Sequence, residues 1–391
     1  MNDKRPLRIL IANIWLLDRT GTETLVRDLA LNFRRRGHFP TVYALRLGEP
    51  AEELRALGVP VVDDLDLVKE PPDIIQSSHN VPMVMALARF PDCPAVWLSQ
   101  DWRWWYDRPP RFSRITAYVA IDEPRRTFLM RELGVAKDHV GVWHNAVDLS
   151  RIPVRPAPLP DRPRRAIAFT KTGTQLAMLR EVCDRAGIEF SAIGRGPDMR
   201  VVDPERQLVS RDIVFATGRS AIEALAAGCA VIVGDARGFA GLVTMANYEW
   251  LRDRNFGSEA FTGEMTGEAV AQEIARYDRV DAEAVARTTR DRANLDSALD
   301  RLESIYRDSI TSSHRTSGWT ADDCRMLRDF VHAWPPGTQA PEWRFAAELE
   351  RLQGLRTGLD RQFSGLPRWY LTLRRLWRWM LGLRGRKSLA R

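Results

Sequence analysis

The chain opens with a nearly continuous apolar run, LRILIANIW (residues 7–15), the pattern of a strand buried on both faces. ETLVRDLALNFRRRG follows, with Leu25, Val26, Leu29, Ala30 and Phe33 at i, i+3, i+4 spacing. That spacing predicts a helix, and Gly37 past its last turn supplies the stop. TVYAL, VPVVD, DIIQS, AVWLS, AYVAI and HVGVW are further strand candidates within the first 150 residues. Residues 151–165, RIPVRPAPLPDRPRR, hold five prolines and almost no periodicity, so they read as a linker. The alternation then restarts: AIAFT, a helix through MLREVCDRAG, EFSAIG, DIVFA, a helix through SAIEALAAG, and AVIVGD. Helical segments near 268–278 and 281–310 close this second unit. The predicted architecture is α/β: two Rossmann-like, doubly wound domains at residues 1–150 and 166–310. Residues 311–391 form a helical tail, with helices over 320–333 and 342–360. A cleft is expected where the carboxyl ends of the two sets of strands face each other.

Length and composition narrow this picture. The 391 residues suit two domains and a remainder, with 45% hydrophobic and 28% charged residues as in soluble globular chains. No run of eighteen apolar residues exists, which argues against a membrane span. The first fifteen residues lack the small-residue cleavage site of a secretion signal, so a cytoplasmic chain is expected. Four widely spaced cysteines without C-x-x-C indicate neither a disulfide framework nor a zinc site. The formal charge of +7 is unevenly placed. The first 310 residues carry 43 basic and 44 acidic side chains, whereas residues 311–391 carry fifteen basic and seven acidic. The excess belongs to the tail rather than to a stripe across the folded body, which speaks against a nucleic-acid partner.

Two segments offer chemistry. Gly21 and Thr22 lie between the first strand and the first helix, where backbone N–H groups can approach an anion at the helix N-terminus; an ordinary βα turn is the alternative. In ATGRSAIEALAAGCAVIVGD (residues 216–235), Gly218 permits a tight turn, and Arg219 and Ser220 then start a helix carrying Glu223. A diphosphate there would meet free N–H groups, the helix dipole and a guanidinium, with Glu223 one turn further for a ribose diol. The plainer alternative is that Arg219 and Glu223 pair with each other. Lys171, after AIAFT, could neutralise a diphosphate across the cleft; a solvated loop lysine is the alternative. Gly194 and Gly196 mark a turn after another strand. The six histidines do not fall at metal-ligand spacings, and no bound metal or cofactor is expected. Asp64-Leu65-Asp66 spells D-x-D but follows no clear strand end, so it reads as a surface loop.

Together these segments resemble the GT-B-fold glycosyltransferases of the group 1 (family 4) type, over about residues 7–310. RILIAN, GTETLVRDLALNFRRRGH, DIIQSSHN, VWHNAVDLSRI, AIGRGP and RSAIEALAAGCAVIVGD carry the likeness in order. The resemblance implies two Rossmann-like domains in the GT-B arrangement. It also implies transfer of a sugar from a nucleotide-diphosphate sugar, usually with retention and without a metal. Carried over, Glu223 binds ribose, Gly21 and Thr22 face the diphosphate, and Lys171 with Arg219 stabilises the leaving charge. His79, ending a strand at the cleft, would contact donor sugar or acceptor; a hydrogen-bonded structural histidine is the alternative. Three positions depart from the family pattern: Phe215 stands where an acid is usual, Gln100 where a histidine is, and the acid after the turn near 237–241 is missing. Asp101, beside Gln100, is a candidate replacement.

DWRWWYDRPPRF (residues 101–112) offers aromatic faces for stacking on sugar, or for packing between elements. In LPRWYLTLRRLWRWMLGLRGRK, Arg368, Arg375 and Arg378 share one helical face and Tyr370, Trp377 and Met380 lie broadly opposite. Such a helix over 366–387 suits an anionic membrane surface, or a contact of the protein with itself. The expected function is glycosyl transfer to a glycan or lipid-linked acceptor in cell-surface polysaccharide assembly, at the inner face of the membrane. The alternatives are a catalytically inactive nucleotide-sugar-binding subunit and a sugar-nucleotide epimerase on the same fold.

Overall fold

The computed structural model describes residues 5–17, 20–170, 175–194, 204–313 and 318–333. Two sheets dominate. In the first, the strands are β1 (Arg8–Leu16), β2 (Phe39–Leu47), β3 (Val61–Val62), β4 (Ile74–Ser77), β5 (Ala95–Ser99), β6 (Ile115–Ala120) and β7 (Val140–Val142). Their order is β3-β2-β1-β4-β5-β6-β7, all parallel. The helices α1 (Gly21–Arg35), α2 (Glu49–Ala56), α3 (Asn80–Arg89) and α4 (Glu123–Arg131) connect them. The order reverses between β1 and β4, so the crevice of this lobe opens at the carboxyl ends of those two strands. The first turns of α1 and α3 flank it.

The second sheet holds β8 (Arg165–Thr170), β9 (Glu189–Gly194), β10 (Ile213–Ala216), β11 (Ala230–Asp235) and β12 (Gly238–Leu242). The order is β12-β11-β10-β8-β9, parallel except for β12. The helices α5 (Leu176–Arg185), α6 (Pro204–Leu208), α7 (Arg219–Ala226), α8 (Tyr248–Arg252), α9 (Gly267–Ala275) and α10 (Arg279–Arg292) belong to it. Its reversal lies between β8 and β10, beside the first turn of α7.

The strand runs are continuous in hydrophobicity because both faces of each sheet are covered. Leu10, Ile11, Val96, Leu98, Val214, Val231 and Ile232 are each fully buried. The chain crosses between the lobes twice, and the crossings are tied together: the Val147 N–H donates to Ala293 O at 2.9 Å, and the Leu295 N–H to Val147 O at 3.1 Å. The proline-rich segment packs on the second lobe, with Arg155 bound to Asp212 at 3.0 Å and the Tyr277 hydroxyl donating to Pro160 O at 2.9 Å.

Two elements differ from the sequence expectation. α11 (Leu295–Ser313) does not close the second lobe. Its stripe of Leu295, Ala298, Leu299, Leu302 and Tyr306 returns to the core of the first. The Tyr306 hydroxyl donates to Gln76 Oε1 at 2.7 Å to anchor it. The glycine-rich edge strand β12 was not anticipated. α12 (Ala321–His332) follows, within the helix expected over 320–333. The segments 342–360 and 366–387 lie outside the described residues. Among the described residues no helix is long and apolar enough to cross a membrane.

Candidate functional site

Two polar clusters lie where the lobes and their strand ends meet. The first is ionic and is built around α1 and α7. Gly218 begins α7 with φ +60°, a conformation that suits glycine, and its N–H donates to Phe256 O at 2.8 Å. Arg219 then reaches across the lobes. Its Nε donates to Glu223 Oε1 at 3.0 Å, Nη1 to Ala146 O at 3.4 Å, and Nη2 to the Asp28 carboxylate of α1. Asp28 is 1% exposed and also faces Arg151 at 3.3 Å and Arg27 at 3.6 Å. Arg151 goes on to Glu205. Burial alone would lower the Arg219 pKa, but the Asp28 and Glu223 carboxylates outweigh it and hold the guanidinium above its ordinary range. Burial pushes the Glu223 carboxyl up, against the pull of Arg219. Arg219 and Glu223 therefore pair with each other, as the plainer sequence reading had it, and they do so at the lobe junction. Ser220 is half-buried in the same first turn of α7.

At the start of α1, the Glu23 carboxylate accepts from the Thr20 N–H at 2.9 Å and the Leu17 N–H at 3.1 Å. This caps the helix and puts a negative group beside its first turn, which begins with Gly21 and Thr22. Thr22 Oγ1 lies 3.1 Å from Thr20 Oγ1, and a side chain at Gly21 would meet open space. Lys171 and Gly196 lie outside the described residues; Gly194 ends β9.

The second cluster sits at the carboxyl ends of β1, β4 and β5, around His79, the residue preceding α3. His79 is buried. Its Nδ1 accepts from the Ile14 N–H at 3.4 Å, which leaves the neutral ring's proton on Nε2, 3.7 Å from Asp107 Oδ1. Both ring nitrogens thus face protein groups. Burial lowers the His79 pKa to about 3. Burial, assisted by Asp101, raises the Asp107 carboxyl to about 7 against Arg125 and Arg103. Gln100 Nε2 donates to Ser78 Oγ at 2.8 Å, and its backbone oxygen accepts from Arg125 Nε at 2.7 Å. Asp101 Oδ1 accepts from the Trp102 N–H at 2.8 Å, so this carboxylate shapes the loop that follows β5.

That loop divides the aromatic run by role. Trp102 packs near Phe128 with Arg125 over its ring, and Phe112 is buried against Trp319. Tyr106 instead packs against His79 and Trp15, and Trp104 stacks on it with 43% exposure. Arg103 crosses to the second lobe, bonding Ser258 and facing Glu259 at 3.5 Å.

Sequence reasoning missed Asp28, Arg151, Glu205 and Asp107. A signal existed for Asp28: with Asn32 it forms an i, i+4 polar pair on the buried face of α1. Asp64 and Asp66 stay at a surface turn, where Asp64 Oδ1 accepts from the Asp66 N–H at 2.9 Å and Asp66 pairs with Arg89 at 2.7 Å. Among the described residues no group of three or more His, Cys, Asp or Glu could hold a metal ion. A cavity of about 290 Å³, lined partly by Thr244, Arg276, Asp278 and Asp281, lies at the start of β11, away from the strand ends that form the cleft.

The family model described as Glycosyltransferase Family 4 matches residues 19–151. No curated protein matches the chain. Among solved structures, a glycosyltransferase from Rickettsia africae is 14% identical, covering 78% of this chain and 99% of its own, with a TM-score of 0.57. Anabaena HepE, solved in complex with UDP-glucose, is 14% identical over 78% of this chain and 100% of its own, with a TM-score of 0.55. These likenesses carry the fold, and the segment matched by the family model covers α1, β4 and the aromatic loop. The chain thus has the fold of the GT-B glycosyltransferases, and its residues 19–151 are similar to the Glycosyltransferase Family 4 model.

Proposed function

We propose that the protein transfers a hexosyl group from a nucleotide-diphosphate sugar to a hydroxyl of a glycan or lipid-linked acceptor, without a bound metal, in cell-surface polysaccharide assembly. One observation carries the reading: Arg219 and Glu223, in the first turns of α7, meet Asp28 of α1 across the lobes. The guanidinium and the carboxylate are the two groups a nucleoside diphosphate needs, one for phosphate and one for the ribose diol. A diphosphate at Arg219 competes with the Asp28 carboxylate, and Asp28 keeps Arg27 and Arg151 when it is displaced. The complex of the similar HepE with UDP-glucose supports a nucleotide-sugar donor. The basic, tryptophan-rich stretch at 366–387 supports action at an anionic membrane surface, where lipid-linked acceptors reside.

The test is a melting-temperature panel with UDP, GDP, ADP and their sugars, followed by release of nucleoside diphosphate from the stabilising sugar. A ligand that prefers the folded state raises the melting temperature. Binding without turnover would identify a catalytically inactive subunit instead, and no binding would end the reading. Removal of residues 362–391 should abolish sedimentation with phosphatidylserine vesicles; undiminished sedimentation would remove the membrane role.

A further inference from the structure

Among the described residues, two that are not glycine hold a positive φ, and they are neighbours: Asn255 at +55° and Phe256 at +48°. Asparagine tolerates this left-handed region, whereas a bulky aromatic residue avoids it, so the surroundings must impose it. Part of the conformation closes α8: the Asn255 N–H donates to Arg252 O at 2.8 Å, and the Phe256 N–H to Leu251 O at 2.8 Å. Such a helix end takes one left-handed residue, so the second has another cause.

Phe256 faces the start of α7. Its ring is fully buried beside Tyr248 in the core of the second lobe, and its backbone oxygen accepts from the Gly218 N–H at 2.8 Å. Gly218 is the N-cap of α7, and its own oxygen accepts from the Ala221 N–H at 3.1 Å and the Ile222 N–H at 3.3 Å. Phe256 thus orients the peptide from which α7 starts. The N–H groups of Arg219 and Ser220, next in line, have no acceptor within the helix. Asn255 faces the other lobe, where its Oδ1 accepts from Asn145 Nδ2 at 3.0 Å. Contacts on either side run the same way. Asp253 O accepts from the Glu123 N–H of α4 at 3.0 Å, the Asp253 carboxylate lies 3.3 Å from His144 Nε2, and Arg103 reaches Ser258 and Glu259. Strained backbone persists where its surroundings over-determine it, and here they do so from both lobes.

We propose that Asn255 and Phe256 are positioning residues for the donor nucleotide: their strained turn converts contact between the lobes into a fixed first turn of α7. Its bearing on the nucleotide rests on the glycosyl-transfer reading above; the hold on α7 rests on the backbone geometry alone. With the lobes together, Asn145 keeps Asn255 left-handed, and Phe256 O keeps the Gly218 N–H. The N–H groups of Arg219 and Ser220 are then aimed together at a diphosphate. Without the tie, the turn relaxes toward ordinary φ, the carbonyl leaves Gly218, and these groups lose their common aim. By linkage, a ligand that needs the fixed turn favours contact between the lobes.

The experiment uses the full chain and compares wild type with Asn145→Ala, Asn255→Gly and the double variant. Glycine at 255 takes a left-handed φ unaided, so it makes the tie from Asn145 unnecessary. Amide exchange is read without nucleotide, and affinity by calorimetry with UDP, GDP and ADP. Asn145→Ala should speed exchange at residues 218–222 and 253–257 by about tenfold. It should weaken whichever nucleoside diphosphate binds by about fivefold, the worth of one hydrogen bond. Asn255→Gly should stay within about twofold of wild type on both counts, and the double variant should match it. A tie that merely glues the lobes would not be rescued by glycine. A loss in Asn145→Ala that persists in the double variant overturns the proposal. Faster exchange at 253–257 with residues 218–222 and affinity unchanged does so too. Rescued exchange in a protein that binds none of the three nucleotides upholds the hold on α7 and overturns the donor reading instead.

Discussion

The ionic cluster on α1 and α7 and the buried pair beside α3 occupy comparable places in the fold, yet they are built in opposite ways. Around Asp28, three arginines and three carboxylates are interleaved, and every charge has a counter-charge. Around Asp107, a buried imidazole lies 3.7 Å from a buried carboxyl, and four polar oxygens, Asn13 Oδ1, Asn80 Oδ1, Ser99 Oγ and Asp107 Oδ2, go unpartnered among the described residues. The first arrangement resists the removal of any member, because each loss strands a buried charge. The second leaves buried oxygens without partners, which costs folding free energy.

The largest expected effect is on the ionic side. Arg219→Ala leaves Glu223 without its cation and Asp28 with weaker partners, so it should destabilise the fold by about 3–5 kcal/mol in chemical denaturation. A loss below about 1 kcal/mol would show that the network is solvated in solution and would erase the contrast.

The pair should behave in the reverse sense. Asp107 is raised when folded, so between about pH 4 and 7 the folded state keeps a proton that the unfolded state has lost. Its contribution is therefore intact below pH 4 and lost as pH rises to about 7. Asp107→Asn should remove this slope and, relative to wild type, gain on the order of 3 kcal/mol at pH 8. Parallel stability profiles for the two proteins would mean that Asp107 is solvated and not buried against His79.

The contrast also marks what the sequence could reveal. The strands were legible because parallel strands covered on both faces are unbroken apolar runs, and the glycine turn before Arg219 was legible as a strand-to-helix junction. The edge strand β12, GFAGL, has no such run. The stripe on α11 was readable as a face, but periodicity does not say which sheet will cover it, and it covers the first. The helix opening with Gly21 was visible, whereas the Glu23 carboxylate folding back on its loop is a three-dimensional fact. His79 was singled out for its position at a strand end; only the geometry shows both its nitrogens occupied and Asp107 beside it. Pairings such as Asp28 with Arg219 link residues 191 positions apart, and spacing carries no trace of them.

A smaller effect separates ligand binding from charge balance. Glu223→Ala should weaken nucleotide binding by about 1.5–3 kcal/mol in calorimetry, the worth of a charged hydrogen-bond partner. The same change frees Arg219 from one carboxylate, which favours a diphosphate and works against the loss. A double cycle with the 2′,3′-dideoxy nucleotide resolves the two. If Glu223 holds the ribose, the dideoxy ligand should bind wild type and variant almost equally. If the dideoxy ligand loses as much affinity as the parent, Glu223 acts on Arg219 alone, and the ionic cluster is structural throughout.

The smallest effect tests the connection between the two regions. Arg103 ties the aromatic loop over Asp107 to Ser258 and Glu259 of the second lobe, and its side chain is 38% exposed. An ion pair so exposed contributes about 0.2–1 kcal/mol and is screened by salt, so Arg103→Ala should barely move the melting temperature. Hydrogen exchange gives a sharper reading, because local opening can change while global stability does not. Faster exchange at residues 101–107 alone, with the rest of the first lobe unchanged, would mean that the loop opens as a unit and that lobe contact governs access to the buried carboxyl. Unchanged exchange would mean that the Trp104–Tyr106–Trp15 packing holds the loop by itself. The two clusters would then be independent of each other.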